Sequence, residues 1–176
     1  MPSMTRHDAA SAEVLVFTFK EGLLSAVAHD LKLKVTRFSI ELDAASARGE
    51  FDSSSLKVVT AMANGVDAPR ALPGFARGEI EKNVLKDVLE ARRHPAVKFE
   101  TTRVGEREVE GVLTLHGVSR PVRGVLSHEA TRWVAEFKLD QRVFGITPYS
   151  ALLGTLRIRP EIVVRVSVPK GVATGV

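Results

Sequence analysis

The chain contains no cysteine, which excludes a disulfide framework and any thiolate metal site and leaves the redox compartment unwritten. Nowhere do apolar residues approach the ~18 in succession that a membrane-spanning helix requires. The opening Met1-Pro2-Ser3-Met4-Thr5-Arg6-His7-Asp8 has no apolar stretch of the secretory kind, so a cytoplasmic location is expected. Charge of one sign is not gathered anywhere: 25 Lys and Arg stand against 21 Asp and Glu, a net of +4 spread along the chain. The focused basic stripe of a nucleic-acid binder is therefore missing. No repeat or linker divides the 176 residues, a length that suits one domain with a sizeable core or an enclosed cavity.

What is abundant is alternation. In the run Leu156 to Val168, the apolar Leu156, Ile158, Ile162, Val164, Val166 and Val168 alternate with Arg157, Arg159, Glu161, Arg165 and Ser167. Successive strand side chains point to opposite faces, so this pattern buries one face and wets the other. The same period places Leu15, Phe17 and Phe19 together, then Leu31, Leu33 and Val35, then Phe38, Ile40 and Leu42. The phase changes between the last two sets, which predicts a β-bulge near Thr36-Arg37 that bends the sheet. Phe51, Leu56 and Val58 mark a third strand interrupted by Ser53-Ser54-Ser55, and later strands carry Phe99, Leu113, Leu115, Val122, Trp133, Phe137 and Leu139.

From Arg77 to Arg93 the period shifts, with Ile80, Val84, Leu85, Val88 and Leu89 on one side of an amphipathic helix. His94-Pro95 is expected to stop it. About eight antiparallel strands with one helix inserted at about residues 77–93 make an all-β, mainly antiparallel barrel, which closes on itself and removes its edges. Its interior is either plugged by side chains or holds one slim ligand. The expected organisation is a tail over 1–12, a single domain over 13–170 and a second tail over 171–176.

Groups for chemistry are thin. His29-Asp30, with Ser25 nearby, is half of a proton relay on one reading and a hydrogen-bonded loop closure on the other, and no glycine-rich nucleophile turn accompanies the serine. His94, His116 and His128 lie in separate segments without metal-ligand spacing, so no metal and no catalytic residue is expected. Asp87 and Glu90 belong to a wet helix face. The eight phenylalanines fall mostly at inward-phase positions or beside them, as plain core or as ligand wall. Tyr149, with Arg142 and Arg157 near it in sequence, is the expected polar handle for an anionic or quinone head group at a barrel mouth.

Three stretches carry a resemblance. Asn83 to Phe99 (NVLKDVLEARRHPAVKF) is similar to the helix-to-strand segment of the YceI-like family, Gly111 to Val122 (GVLTLHGVSRPV) to its "G.LTI.GVT.PV" stretch, and Phe137 to Ile146 (FKLDQRVFGI) to its "F.IDRS.FGI". Each is weak alone, but in this order and spacing they are specific. The family's strand start appears as Gly22 to Leu31, and Ala61 to Arg77 shows little of the familiar pattern. The resemblance implies a lipocalin-like antiparallel barrel, an apolar tunnel for polyisoprenoid chains such as isoprenoid quinones, and no catalysis.

The leading expectation is thus a carrier or store of a long isoprenoid or fatty lipid, with no cofactor beyond that ligand. The residues expected to meet it are Phe17, Phe19, His29, Leu33, Phe38, Phe51, Leu85, Leu89, Phe99, Leu113, Leu115, Phe137, Leu139, Phe144, Tyr149 and Ile158. Two other readings stand beside it: a hydrolase or isomerase using His29 and Asp30 at the mouth, and a plugged barrel serving as a stress-related scaffold. A homodimer through an outer strand face is a further expectation.

Overall fold

The computed structural model describes residues 3–23 and 28–171. Its strands are β1 (Thr5–His7), β2 (Glu13–Thr18), β3 (Lys20–Glu21), β4 (Asp30–Val35), β5 (Phe38–Leu42), β6 (Ala47–Asp52), β7 (Leu56–Ala63) and β8 (Val66–Asp67). The helix α1 (Gly74–Asn83) follows, and then β9 (Ala96–Val104), β10 (Glu108–Leu115), β11 (Val118–Glu129), β12 (Arg132–Asp140), β13 (Ser150–Ala151), β14 (Leu156–Ile158) and β15 (Glu161–Pro169). All pairings are antiparallel: one large sheet in the order β1-β5-β6-β9-β10-β11-β12-β15-β2-β4-β7-β8, and a small one of β13-β14-β3. The expected count of about eight is not exact, because the described residues form fifteen strand segments. The curled antiparallel architecture with one helix does hold.

The curl originates where the alternation changes phase. β4 and β5 are one run of chain interrupted at Thr36-Arg37, and β6 and β7 are another interrupted by a 3-10 turn over Ser53–Ser55. The two interruptions face each other. Thr36 N–H donates to the Ser55 carbonyl at 3.1 Å and Asp52 N–H to the Arg37 carbonyl at 3.0 Å. The Ser55 hydroxyl, fully buried, accepts from Arg37 N–H at 3.0 Å and donates to the Asp52 carbonyl at 2.8 Å. A corner of this kind satisfies the backbone while the hairpin turns, so β4–β7 joins the sheet beside β2 and β5–β6 joins it beside β9. Followed through the corner, the ladders make a full circuit.

The helix covers the side next to β7. It runs from Gly74 to Asn83 and continues as a π-turn over Val84–Val88, where Leu89 N–H reaches the Val84 carbonyl at 2.8 Å. The predicted span of 77–93 is thus displaced: the helix starts earlier and ends at Glu90, whose φ of +45° leaves the helical region. Ile80, Val84, Leu85 and Leu89 pack on Leu31, Leu33, Leu56, Val58, Ala61 and Leu72. Glu81 adds a polar tie, its carboxylate accepting from Val58 N–H at 2.9 Å beside the register shift at Lys32/Leu33. Covering that strand with a helix protects it as an edge.

Two boundaries differ from expectation. Thr5–His7, within the segment expected as a tail, pairs with β5, and Ala12 is buried. The Leu156 to Val168 run is not one strand, since Arg159-Pro160 divides it and β14 pairs with β3 in the small sheet. Proline lacks the N–H that a continuous ladder would need. Among the described residues no helix is long and apolar enough to cross a membrane.

The corner gives a stability prediction. Ser55→Ala removes the acceptor of the Arg37 N–H and leaves a fully buried corner without its hydroxyl, and it should cost about 1–3 kcal/mol in urea unfolding. A change near zero would mean that the corner does not hold the fold.

Candidate ligand-binding site

Inside the curled sheet lies a cavity of ≈ 1470 Å³, larger than the ~300–1,000 Å³ of an ordinary small-molecule pocket. Three of the wall strands contribute their inward-facing residues. From β10 these are Val109, Leu113 and Leu115, from β12 Trp133, Ala135, Phe137 and Leu139, and from β15 Ile162, Val164, Val166 and Val168. The six residue steps from Val109 to Leu115 span about 20 Å at strand rise. That exceeds the roughly 15 Å depth of one bilayer leaflet, half of a ~30 Å hydrocarbon core.

One end is closed and the other open. At the closed base Leu115, Phe144 and Ile146 pack with Val88, Leu89 and Val97. The open end is lined by the turn Asp43–Ser46, by Val104 to Arg107 and by Val125 to His128, and several of these residues are exposed. The Asp43 carboxyl is held below its usual range by the Ala45 N–H and then by the hydroxyl and N–H of Ser46. These bonds are complete at neutral pH and are lost only as pH falls through that lowered value.

Polar side chains along the wall are already committed to the protein. The Ser53 hydroxyl donates to the His94 carbonyl at 2.7 Å, the Gln141 amide donates to the Arg159 carbonyl at 3.1 Å, and Thr101 Oγ1 accepts from Ala47 N–H at 2.9 Å. Among the described residues the one buried side-chain polar atom without a partner is Thr18 Oγ1, outside this lining. The deep cavity therefore offers a ligand hydrocarbon contact. Only the open end adds Arg48, Arg107, His128 and Trp133, with the His128 and Trp133 rings 4.3 Å apart and Lys170 Nζ 5.4 Å from the Trp133 ring.

Glycines make the room. A Cβ on Gly111 would meet the Phe99 ring at 2.5 Å, and one on Gly124 would meet Phe137 at 2.8 Å. The two rings lie edge to face with centroids 5.5 Å apart, flattened over bare backbone instead of projecting across the interior.

Of the residues expected to meet a ligand, Phe51, Leu89, Phe99, Leu113, Leu115, Phe137 and Leu139 line the cavity. Phe17 and Phe19 do not. Val14 and Val16 line it instead, so Phe17 points to the opposite face of β2. Leu33 and Leu85 belong to the filled part under the helix, and Phe38 leans on Phe51 with centroids 5.9 Å apart without reaching the lining. Phe144 is spent sealing the base, and Ile158 lies in β14, on the small sheet.

Tyr149 is also outside the lining and sits beside the small sheet, where its carbonyl accepts from Ile158 N–H at 3.0 Å. Arg142 is held by Asp140 at 2.7 Å and Arg157 faces Glu21 at 3.9 Å, so the expected head-group handle is not formed there. His29 and Asp30 do not line the cavity either. Asp30 accepts from Lys20 N–H at 2.8 Å, and Ser25 lies outside the described residues. Val35, Ile40, Leu42 and Val97, and the β15 residues Ile162, Val164, Val166 and Val168, line the cavity without having been expected to meet the ligand, although their strand phase was available.

The family model described as the YceI-like domain matches residues 7–169. The chain belongs to the YceI-like family. BcnA of Burkholderia cenocepacia has a similar structure at 16% identity and TM-score 0.60, with 91% of this chain and 96% of that one covered. A polyisoprenoid binding domain from Saccharophagus degradans, implicated in plant cell wall breakdown, is similar at 12% identity and TM-score 0.53, covering 96% and 100%. A mutant YceI protein of Campylobacter jejuni with a monobromobimane guest gives 12% and 0.52, covering 81% and 86%. These likenesses concern the fold. No curated protein matches the chain.

Filled and open regions should respond differently to added volume. Ala61→Phe, at a position with no exposed surface under the helix, should cost about 1–3 kcal/mol or more by overpacking. Ala135→Phe on the cavity wall should cost less than about 1 kcal/mol in the same urea titration, because its ring enters open volume. Equal costs would contradict the assignment of the two regions.

Proposed function

We propose that this YceI-like protein binds one long apolar lipid, a polyisoprenoid or isoprenoid quinone, in the cavity and carries or stores it without catalysis. The observation that supports this most is a deep apolar enclosure, about 20 Å long, whose buried polar groups are bonded to the protein itself. A neutral hydrocarbon chain is the ligand such a wall discriminates least against and gains most from. The polyisoprenoid binding named for the similar Saccharophagus degradans domain points the same way. In this reading the tail runs from base to mouth, and a quinone ring sits at Trp133 and His128.

The energetics follow from area. Burial of apolar surface contributes about 25 cal/mol per Å², or ~0.8 kcal/mol per methylene. Ordering a flexible chain takes back part of that. Affinity therefore depends on chain length and scarcely on salt, since no ion pair forms with the tail.

The test begins with organic-solvent extraction of the purified protein and mass spectrometry of the extract, which should contain a long prenyl lipid. The stripped protein is then titrated with quinones of increasing prenyl length while the emission of its one tryptophan, Trp133, is followed. Saturation at one quinone per chain is expected, with affinity improving at least about tenfold per added prenyl unit until the cavity is full. No lipid in the extract together with no saturable quenching, or affinity independent of length, would overturn the proposal.

A further inference from the structure

Three side chains that sequence spacing keeps apart meet outside the closed base of the cavity. Glu90 ends the helix, His94 precedes Pro95 at the start of β9, and His116 occupies the β10–β11 turn. One donor atom from each lies within 4.8 Å of the others. Glu90 Oε2 is 2.8 Å from His116 Nε2, and the His94 and His116 rings are 4.3 Å apart. We propose that Glu90, His94 and His116 form a binding site for one divalent transition-metal ion of the zinc class, with at least one coordination position left for water or an outside ligand.

Local structure holds each donor in place. Glu90 and His116 take φ of +45° and +54°, a left-handed conformation that side-chain-bearing residues seldom adopt. The other Glu90 oxygen, Oε1, takes the Arg93 guanidinium at 2.9 Å, which fixes the carboxylate and leaves Oε2 facing the imidazoles. The His94 carbonyl is anchored by the Ser53 hydroxyl at 2.7 Å. Next to His116, Gly117 leaves the space that the His94 ring fills, since a Cβ there would come within 3.1 Å of its Nδ1 and Cε1.

The donor set selects the ion. Two imidazole nitrogens and one carboxylate oxygen suit zinc and its neighbours, whereas calcium and magnesium ask for oxygens alone. Metal–ligand bonds of about 2.0–2.2 Å in a tetrahedron put ligand atoms roughly 3.3–3.6 Å apart, so small side-chain rotations close the observed set. None of the three lines the cavity, whereas their neighbours Leu89 and Leu115 do. A metal here would clamp the helix end, the β9 start and the β10–β11 turn against the cavity base, independently of any lipid.

The full chain, stripped with a chelator and dialysed, is titrated with zinc chloride by calorimetry at about pH 7.5, where imidazole is mainly neutral. One ion per chain with a dissociation constant below about 100 μM is expected, together with a rise in melting temperature. His94→Ala and His116→Ala should each weaken binding at least about tenfold. The size-matched His94→Gln and His116→Gln should do the same, with circular dichroism reporting that they fold. His7→Ala, remote in β1, should bind as the parent does. Binding weaker than about 1 mM, or unchanged in the His94 and His116 variants, would overturn the site and leave the lipid reading untouched.

Discussion

The structure depends on a single constraint, the corner at which Thr36-Arg37 faces Ser53–Ser55. A hairpin that ran straight would leave an open sheet with its apolar face covered by nothing but the helix. By turning both strands at once, with the backbone bonded through Ser55, the chain brings the two ends of the sheet together. The apolar face of β12 and β15 then looks toward that of β5 and β6, where Ile40, Leu42 and Phe51 lie, across a space that these side chains leave unfilled. The helix fills the part beneath it, and the rest stays open.

Such an interior is a thermodynamic compromise. Wall atoms without partners forfeit dispersion contacts that a packed core would have, and a fold with this much unfilled lining is less stable than its buried area suggests. A long hydrocarbon tail supplies the missing partners. In the proposed reading the same surface that limits stability becomes the source of affinity, and selectivity follows from length and girth, because among the described residues the deep wall presents no uncommitted polar group. In the proposed reading, discrimination by head group is confined to the mouth, where Trp133, His128 and the neighbouring arginines lie.

Much of this was legible from alternation where only one face of a strand is apolar. β10, β12 and β15 carry mostly charged or small polar residues between their inward apolar ones, with Val112, Val134 and Val163 as the exceptions, and the face read as inward from that alternation lines the cavity, although no β15 residue was expected to meet the ligand. β2 does not, since Val14, Leu15, Val16 and Phe17 are apolar on both faces; size favoured Phe17 while register placed the valines inside. The shift of phase between Val35 and Phe38 was read correctly as a bend. Tyr149 and Ile158 were misplaced because Arg159-Pro160 sends the preceding segment to another sheet. Whether the interior is hollow was not legible, as alternation is the same for a packed and an open barrel. Nor was the meeting of Glu90, His94 and His116, which depends on the register of β9 with β10 and on the point where the helix stops.

Opposing apolar walls of the sheet stand apart. Crystals of the delipidated protein under xenon pressure test this directly, since xenon enters dry apolar cavities large enough to hold it. Xenon sites are expected between the β12–β15 wall, at Phe137 and Val164, and the facing wall of β5 and β6, at Ile40 and Phe51. An interior in which those side chains interdigitate with the opposite wall and admit no xenon would contradict it.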